Sequence, residues 1–167
     1  MNTIVGQRVH TPTFSAALVL AAATLFAAMP AKAADSLTVT VNATVSGVCK
    51  FNSGQTPIVT VQTSGGVIDP SAAGPATGST PVVYRCTNGT TPIWTIPASA
   101  TVTCTTSGSC GTSTMVATIT TSGGGNGSGM GSGQDKTLTV TGSMAAAIYA
   151  NAQAGDYSGT ITVSVAP

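Results

Sequence analysis

From Ser36 onward the sequence is a succession of short runs in which apolar and small polar residues alternate one by one, and almost nothing in it follows the 3.6-residue period of a helix. The first run, SLTVTVNATVSGVC (Ser36 to Cys49), sets Leu37, Val39, Val41, Ala43 and Val45 on one side and Thr38, Thr40, Asn42, Thr44 and Ser46 on the other. The last, YSGTITVSV, sets Tyr157, Gly159, Ile161, Val163 and Val165 against Ser158, Thr160, Thr162 and Ser164. Between them lie TPIVTVQTS, TPVVYRCTNG, TPIWTIPAS, TVTCTTS, TMVATITTS and KTLTVTGSM, broken by Gly, Pro, Ser and Asn. Alternation of this kind buries one face of a sheet. Seven or eight short strands with no helices between them predict an all-β antiparallel sandwich.

Three stretches fall outside this pattern. SMAAAIYANAQAG (Ser143 to Gly155) carries helix-forming alanines, but it is short, lacks an acidic first turn and ends in a Gly-Asp turn, so it predicts a loop or one helical turn. GGVIDPSAAGPATGSTP (Gly65 to Pro81) reads as a loop crossing between sheets or over an edge. SGGGNGSGMGSGQD (Ser122 to Asp135) is glycine-rich enough to suggest a phosphate cradle, yet no Gly-Lys-Ser/Thr element follows it and no helix is at hand to supply aligned amides. It predicts a flexible hairpin connection.

The start of the chain reads differently. Arg8 and His10 lie in a polar opening, Ala16 to Met29 is an apolar run of fourteen residues, and Ala31-Lys32-Ala33 offers a small-x-small cleavage pattern. Fourteen residues fall short of the ~20 that a membrane-spanning helix needs. Residues 1–33 are therefore expected to be a cleaved secretory signal, leaving 134 residues, enough for one domain with a modest core.

Four cysteines follow: Cys49, Cys86, Cys104 and Cys110. An even count behind a secretory signal favours disulfides over metal or redox chemistry. Three pairings are possible. The Ser107-Gly108 turn inside CTTSGSC favours Cys104 with Cys110, which leaves Cys49 to pair with Cys86 and close a long loop worth about 3–4 kcal/mol on the chain-entropy argument.

The chemistry a catalyst needs is sparse. The single histidine, His10, lies in the signal, and the sequence holds no glutamate. A triad lacks its base and a zinc site its usual nitrogen ligands. Asp69, Asp135 and Asp156 each stand beside turn residues, where an Asx side chain caps neighbouring amides. No catalytic, metal or cofactor site is expected, and the chain is not expected to be an enzyme. Past residue 33 three cations (Lys50, Arg85, Lys136) meet four aspartates, a net charge of −1, which offers no basic track for nucleic acid and no polybasic patch for a membrane. Trp94, in PIWTIP, reads as a core residue, with an exposed sugar-stacking platform as the other possibility. Three Asn-x-Ser/Thr matches, at Asn42, Asn88 and Asn126, carry no weight in a composition so rich in Ser and Thr.

Both ends thus predict strands, and the first has an awkward length. A run from Leu37 to about Cys49 is some thirteen residues, when strands typically have about 5 to 6. One strand is expected to do two jobs, its second half joining the domain's own sheet while its first half reaches outside.

Here the sequence resembles a known family. The start LTVTVNATVSGVC, the later VVYRCTNGTTP with a cysteine after a strand and a Cys-Thr-Asn-Gly turn, and the close LTVTGSMAAAIYANAQAGDYSGTITVSV look like the spore coat protein U domain family, which includes subunits of archaic chaperone/usher pili. The likeness runs loosely from Ser36 to the end and is most specific in AGDYSGTITVSV and in the Cys49 and Cys86 pair. It implies an incomplete immunoglobulin-like sandwich whose missing strand comes first from a periplasmic chaperone and then from the N-terminal extension of the next subunit. On that reading residues 34–45 are the donor segment, with Leu37, Val39 and Val41 as donor side chains and Ala43 and Val45 nearer the junction. Residues 46–167 form the domain, and Tyr157, Ile161, Val163 and Val165 line the acceptor groove. The implied partners are copies of itself or sibling subunits, the chaperone and an outer-membrane usher, with a location on the cell surface. The alternative is a self-complete secreted sandwich that binds a glycan or surface partner, through Trp94 and its flanking prolines.

Overall fold

The computed structural model describes residues 35–167; the expected signal over residues 1–33 lies outside them. Ala43–Pro167 form one compact unit, and the residues before it belong to a separate one. The fold is all-β and antiparallel. Among the described residues there are eight strands: β1 (Cys49–Phe51), β2 (Ala76–Cys86), β3 (Ile93–Thr95), β4 (Ser99–Cys104), β5 (Thr114–Gly123), β6 (Lys136–Met144), β7 (Tyr157–Ser158) and β8 (Ser164–Ala166). Six form one sheet in the order β1-β2-β6-β5-β4-β7, and β3 pairs with β8 in a second, two-stranded sheet. The alanine-rich stretch makes a single helical turn, α1 (Ala146–Tyr149).

The core follows directly from the alternation. Val82, Tyr84 and Cys86 of β2 and Leu138 and Val140 of β6 form one buried cluster; Ala76, Met115, Ala117, Met144 and Tyr149 form a second. On the face between them β2 and β6 carry Gly78 and Gly142, which are partners in the ladder. Absence of side chains there admits another segment. A Cβ on Gly78 would fall on the Thr60 carbonyl, and one on Gly142 would press on the methyl groups of Val59 and Val61. The segment around Thr60 therefore crosses the sheet at the glycine pair, with Val59 packed against the first cluster and Val61 against the second.

This crossing corrects the expectation of a strand over residues 56–64. Only Gln62 pairs with β2, as a bridge to Thr77. Nearer β1 the edge of β2 is closed by a side chain: the Gln55 amide accepts the Val83 N–H at 2.7 Å and donates to the Val83 carbonyl at 2.6 Å. The expected loop over 65–81 is likewise shorter, because residues 76–81 belong to β2. Pro81 is tolerated inside the strand because its backbone points the same way as those of Thr77 and Val83, toward the outer edge, where β1 does not reach and no N–H is required.

The glycine-rich connection does join β5 to β6 as a hairpin, but it is pinned rather than flexible. Tyr84, fully buried, donates its hydroxyl to the Gly125 carbonyl and accepts the Gly125 N–H, both at 2.8 Å. Gly129 donates to the Cys86 carbonyl at 3.0 Å. A buried phenol needs partners for both roles, and a glycine backbone passing close by provides them.

Because the Gly78 site has ordinary backbone dihedrals and no spare volume, Gly78→Ala should displace the crossing segment and lower stability by about 1–3 kcal/mol, as overpacking does. Denaturant unfolding would measure this, with an unchanged midpoint counting against the packing described.

Candidate functional site

The leading segment is where expectation and structure part most clearly. No strand covers residues 35–48; pairing begins with Val48, whose carbonyl accepts the Thr87 N–H, and the first strand starts at Cys49. The expected thirteen-residue strand, half of it in the domain's own sheet, is not formed. A strand exists only against a partner edge, and β2 ends at Cys86, opposite Cys49. Upstream the side chains are in the open: Leu37 is 89% exposed, Val39 73%, Val41 87% and Val45 80%, and Ala43 is exposed as well.

At the other end the alternation is observed except at Gly159, which is exposed like its two neighbours. Tyr157, Ile161, Val163 and Val165 are half-buried, and Ser158, Thr160, Thr162 and Ser164 are exposed. Tyr157 packs on the cluster containing Tyr149, and Ile161 on the cluster containing Tyr84. The ribbon is not one strand, however. It pairs with β4 as β7, at Thr103↔Ser158 and Cys104↔Tyr157, then with β3 as β8, at Trp94↔Val165. At Gly159 the ribbon still lies close against β4, since a Cβ there would fall on the Thr101 carbonyl. Between the two pairings residues 159–163 form no backbone hydrogen bond with any of the described residues. These five residues thus half-bury Ile161 and Val163, and their N–H and C=O groups have no partner among the described residues.

Trp94 is half-buried, edge-on to Tyr84 with ring centroids 4.8 Å apart and 6.1 Å from Phe51. Its ring packs against the Tyr84 cluster, as a core role requires, and stays only half-buried.

Both disulfides join the pairs that the spacing favoured. Cys49–Cys86 ties β1 to β2 where the two residues face each other across the ladder, and Cys104–Cys110 closes a six-residue loop. They fit an oxidising, extracytoplasmic environment. Asp156 bonds across to that loop, accepting the Thr105 N–H on its carbonyl and the Thr106 hydroxyl on its carboxylate.

Asp69 caps a turn as expected, accepting the Ser71 amide and hydroxyl, and these two bonds hold its carboxyl below the ordinary value. Asp135 does not cap a turn. It pairs with the Arg85 guanidinium and accepts the Asn52 side-chain N–H at 2.9 Å, binding the β6 entrance to β2 and the end of β1. The Arg85 bond first, and the Asn52 bond second, hold the Asp135 carboxyl below its usual range. The ladder explains the choice of partner, because the Tyr84↔Lys136 rung brings Arg85 beside Asp135. Among the described residues no cluster of three or more His, Cys, Asp or Glu could hold a metal ion, and no helix is long and apolar enough to cross a membrane.

Sequence reading missed Gln55 and the Gly78/Gly142 notch. A side chain closing a strand edge leaves no periodic trace; two glycines within alternating runs do leave one, in the place where each interrupts the apolar face. Compared with protein-family models, characterised proteins and solved structures, the chain matches none of them.

Two measurements follow from this geometry. Trp94→Ala should cost about 3 kcal/mol of unfolding free energy, as loss of a packed aromatic does; an unchanged denaturation midpoint would show that the ring carries no core load. For Asp135 the folded carboxyl titrates lower than the unfolded one, so its contribution is present above the ordinary value of 3.8 and fades as pH falls through the lower folded value. Asp135→Asn should therefore flatten the loss of stability on acidification, by a small amount fitting an exposed pair. An acid limb identical in both proteins would remove Asp135 as its source.

Proposed function

We propose that this chain is a structural subunit of a secreted surface fibre, exported with a periplasmic chaperone and assembled at an outer-membrane usher by strand donation. The observation that carries this reading is a pair of complementary vacancies in one chain. The leading segment holds Leu37, Val39, Val41, Ala43 and Val45 exposed, on a backbone without a strand partner. The trailing ribbon holds Ile161 and Val163 half-buried over five residues whose backbone forms no hydrogen bonds with the described residues. Each offers what the other lacks: alternate apolar side chains and a free row of donors and acceptors.

The energetics favour such an exchange between copies. Fully burying Leu37, Val39 and Val41 contributes roughly 1.5–3 kcal/mol each. Ordering the backbone opposes it by about 1–2 kcal/mol per residue. The ladder's hydrogen bonds, about 0.5–1.5 kcal/mol each, tip the sum toward binding. An exposed apolar edge left alone invites aggregation, which gives a chaperone its role. The sequence likeness to spore coat protein U domains points the same way, and the poverty of charge suits a packed fibre.

Removal of Ser36 to Val41 should give a domain that still folds and leaves the cytoplasm, with both disulfides formed, but yields no fibres. Fibres in normal amount from the shortened chain would refute the proposal. A second version, Val39→Asp with Val41→Asp, keeps the segment's length and should fail equally, because a charge cannot enter an apolar slot.

A further inference from the structure

The chain contains two Asn-Gly steps, Asn88-Gly89 and Asn126-Gly127, and the fold lays one against the other. Gly89 sits in the turn after β2, Gly127 in the connection between β5 and β6. The Gly89 N–H donates to the Gly127 carbonyl at 2.9 Å, and the Gly127 N–H donates to the Thr90 carbonyl at 2.8 Å. The Asn126 side-chain oxygen accepts the Thr91 hydroxyl at 3.1 Å. Both asparagines are exposed to water, whereas Gly127 is buried, and a Cβ on it would fall on the carbonyls of Cys86 and Thr87.

Asparagine before glycine is the step most open to self-modification, since glycine has no Cβ to obstruct the approach of its nitrogen to the side chain before it. The glycine nitrogen gives up its proton and bonds to the asparagine Cγ, ammonia departs, and a five-membered imide remains. Water then opens the ring at either carbonyl, leaving aspartate or isoaspartate. One water is consumed and one ammonia released, with no oxidant or cofactor. The nitrogen must be free to lose its proton and to swing toward the side chain. In this fold both nitrogens are engaged as donors, each to the other's strand of the pair.

We propose that Asn88 and Asn126 form one coupled site of spontaneous deamidation, shut by these reciprocal bonds in the folded protein and open whenever the two turns separate. Coupling follows from the geometry. Ring closure at Asn126 uses up the Gly127 N–H that holds Thr90 and displaces the Gly127 carbonyl that holds the Gly89 N–H. The first event therefore releases the second. Each adds a negative charge to a chain with three cations and four aspartates past residue 33, so the modified protein carries a distinct charge state.

The test follows deamidation at each asparagine by peptide mass spectrometry at mildly alkaline pH, in the purified disulfide-bonded protein and in the same protein unfolded in guanidinium with its disulfides intact. Folding should slow both sites by at least about tenfold, the factor that about 1.4 kcal/mol of opening free energy supplies. Thr91→Val should speed Asn126 several-fold in the folded state and leave the rates in guanidinium unchanged, while Thr91→Ser keeps the hydroxyl and the native rate. Doubly modified folded chains should exceed the product of the two single fractions. Equal rates in folded and unfolded protein at either site would overturn the proposal, as would a doubly modified fraction equal to that product.

Discussion

Nine consecutive rungs hold β2 against β6, from Ala76↔Met144 to Tyr84↔Lys136, and the rest of the compact unit is hung on this pair. Both buried clusters draw on the two strands, and β1 reaches the sheet only through β2 and its disulfide. β5 joins through β6, and β4 and β7 follow β5. The two-stranded sheet is held by Trp94 against Tyr84 of β2. Even the loops are referred to this centre: Gln55 and Gln62 close the β2 edge, and the glycine-rich connection is bonded to Tyr84 and Cys86. With so little charge in the chain, alternation and backbone pairing are left to specify the fold, and they do so through one long ladder whose register places everything else.

Much of this is legible in residues. KTLTVTGSM is β6 to the residue, the serine-glycine turn of CTTSGSC does bring Cys104 to Cys110, and Thr160 to Val165 expose and bury in the order their alternation dictates. What alternation cannot report is whether a partner edge exists. The runs at Leu37–Val45 and Thr56–Ser64 alternate as well as β6 does, yet the first has no edge to join and the second is lifted across the sheet by the Gly78/Gly142 notch. Side-chain surrogates for backbone pairing, as at Gln55, and an aspartate whose ladder neighbour outbids its sequence neighbour, as at Asp135, depend on register. They become visible only once the strands are aligned.

The Cys49–Cys86 bond bears on the candidate site as well as on stability. It fixes the point at which the leading segment leaves the domain, on the rung where β1 begins. Asp135, Arg85 and Asn52 brace the same corner from the side. On the proposed reading, a fixed exit sets where the donor segment begins, at the residue before the Cys49 rung.

The trailing ribbon meets the complementary condition. A strand paired along its whole length would have no vacancy, and a ribbon paired nowhere would not hold its side chains in position. By joining β4 at one end and β3 at the other, the ribbon is pinned at Tyr157–Ser158 and Ser164–Ala166 while the backbone groups of residues 159–163 bond to none of the described residues. Ile161 stays seated on the Tyr84 cluster throughout. On the proposed reading, an incoming strand would find the apolar floor already in place, so the entropy of ordering would fall mainly on the donor. If the proposed exchange takes place, pinning at both ends would lower its cost on the acceptor side, with the same alternation that builds the core.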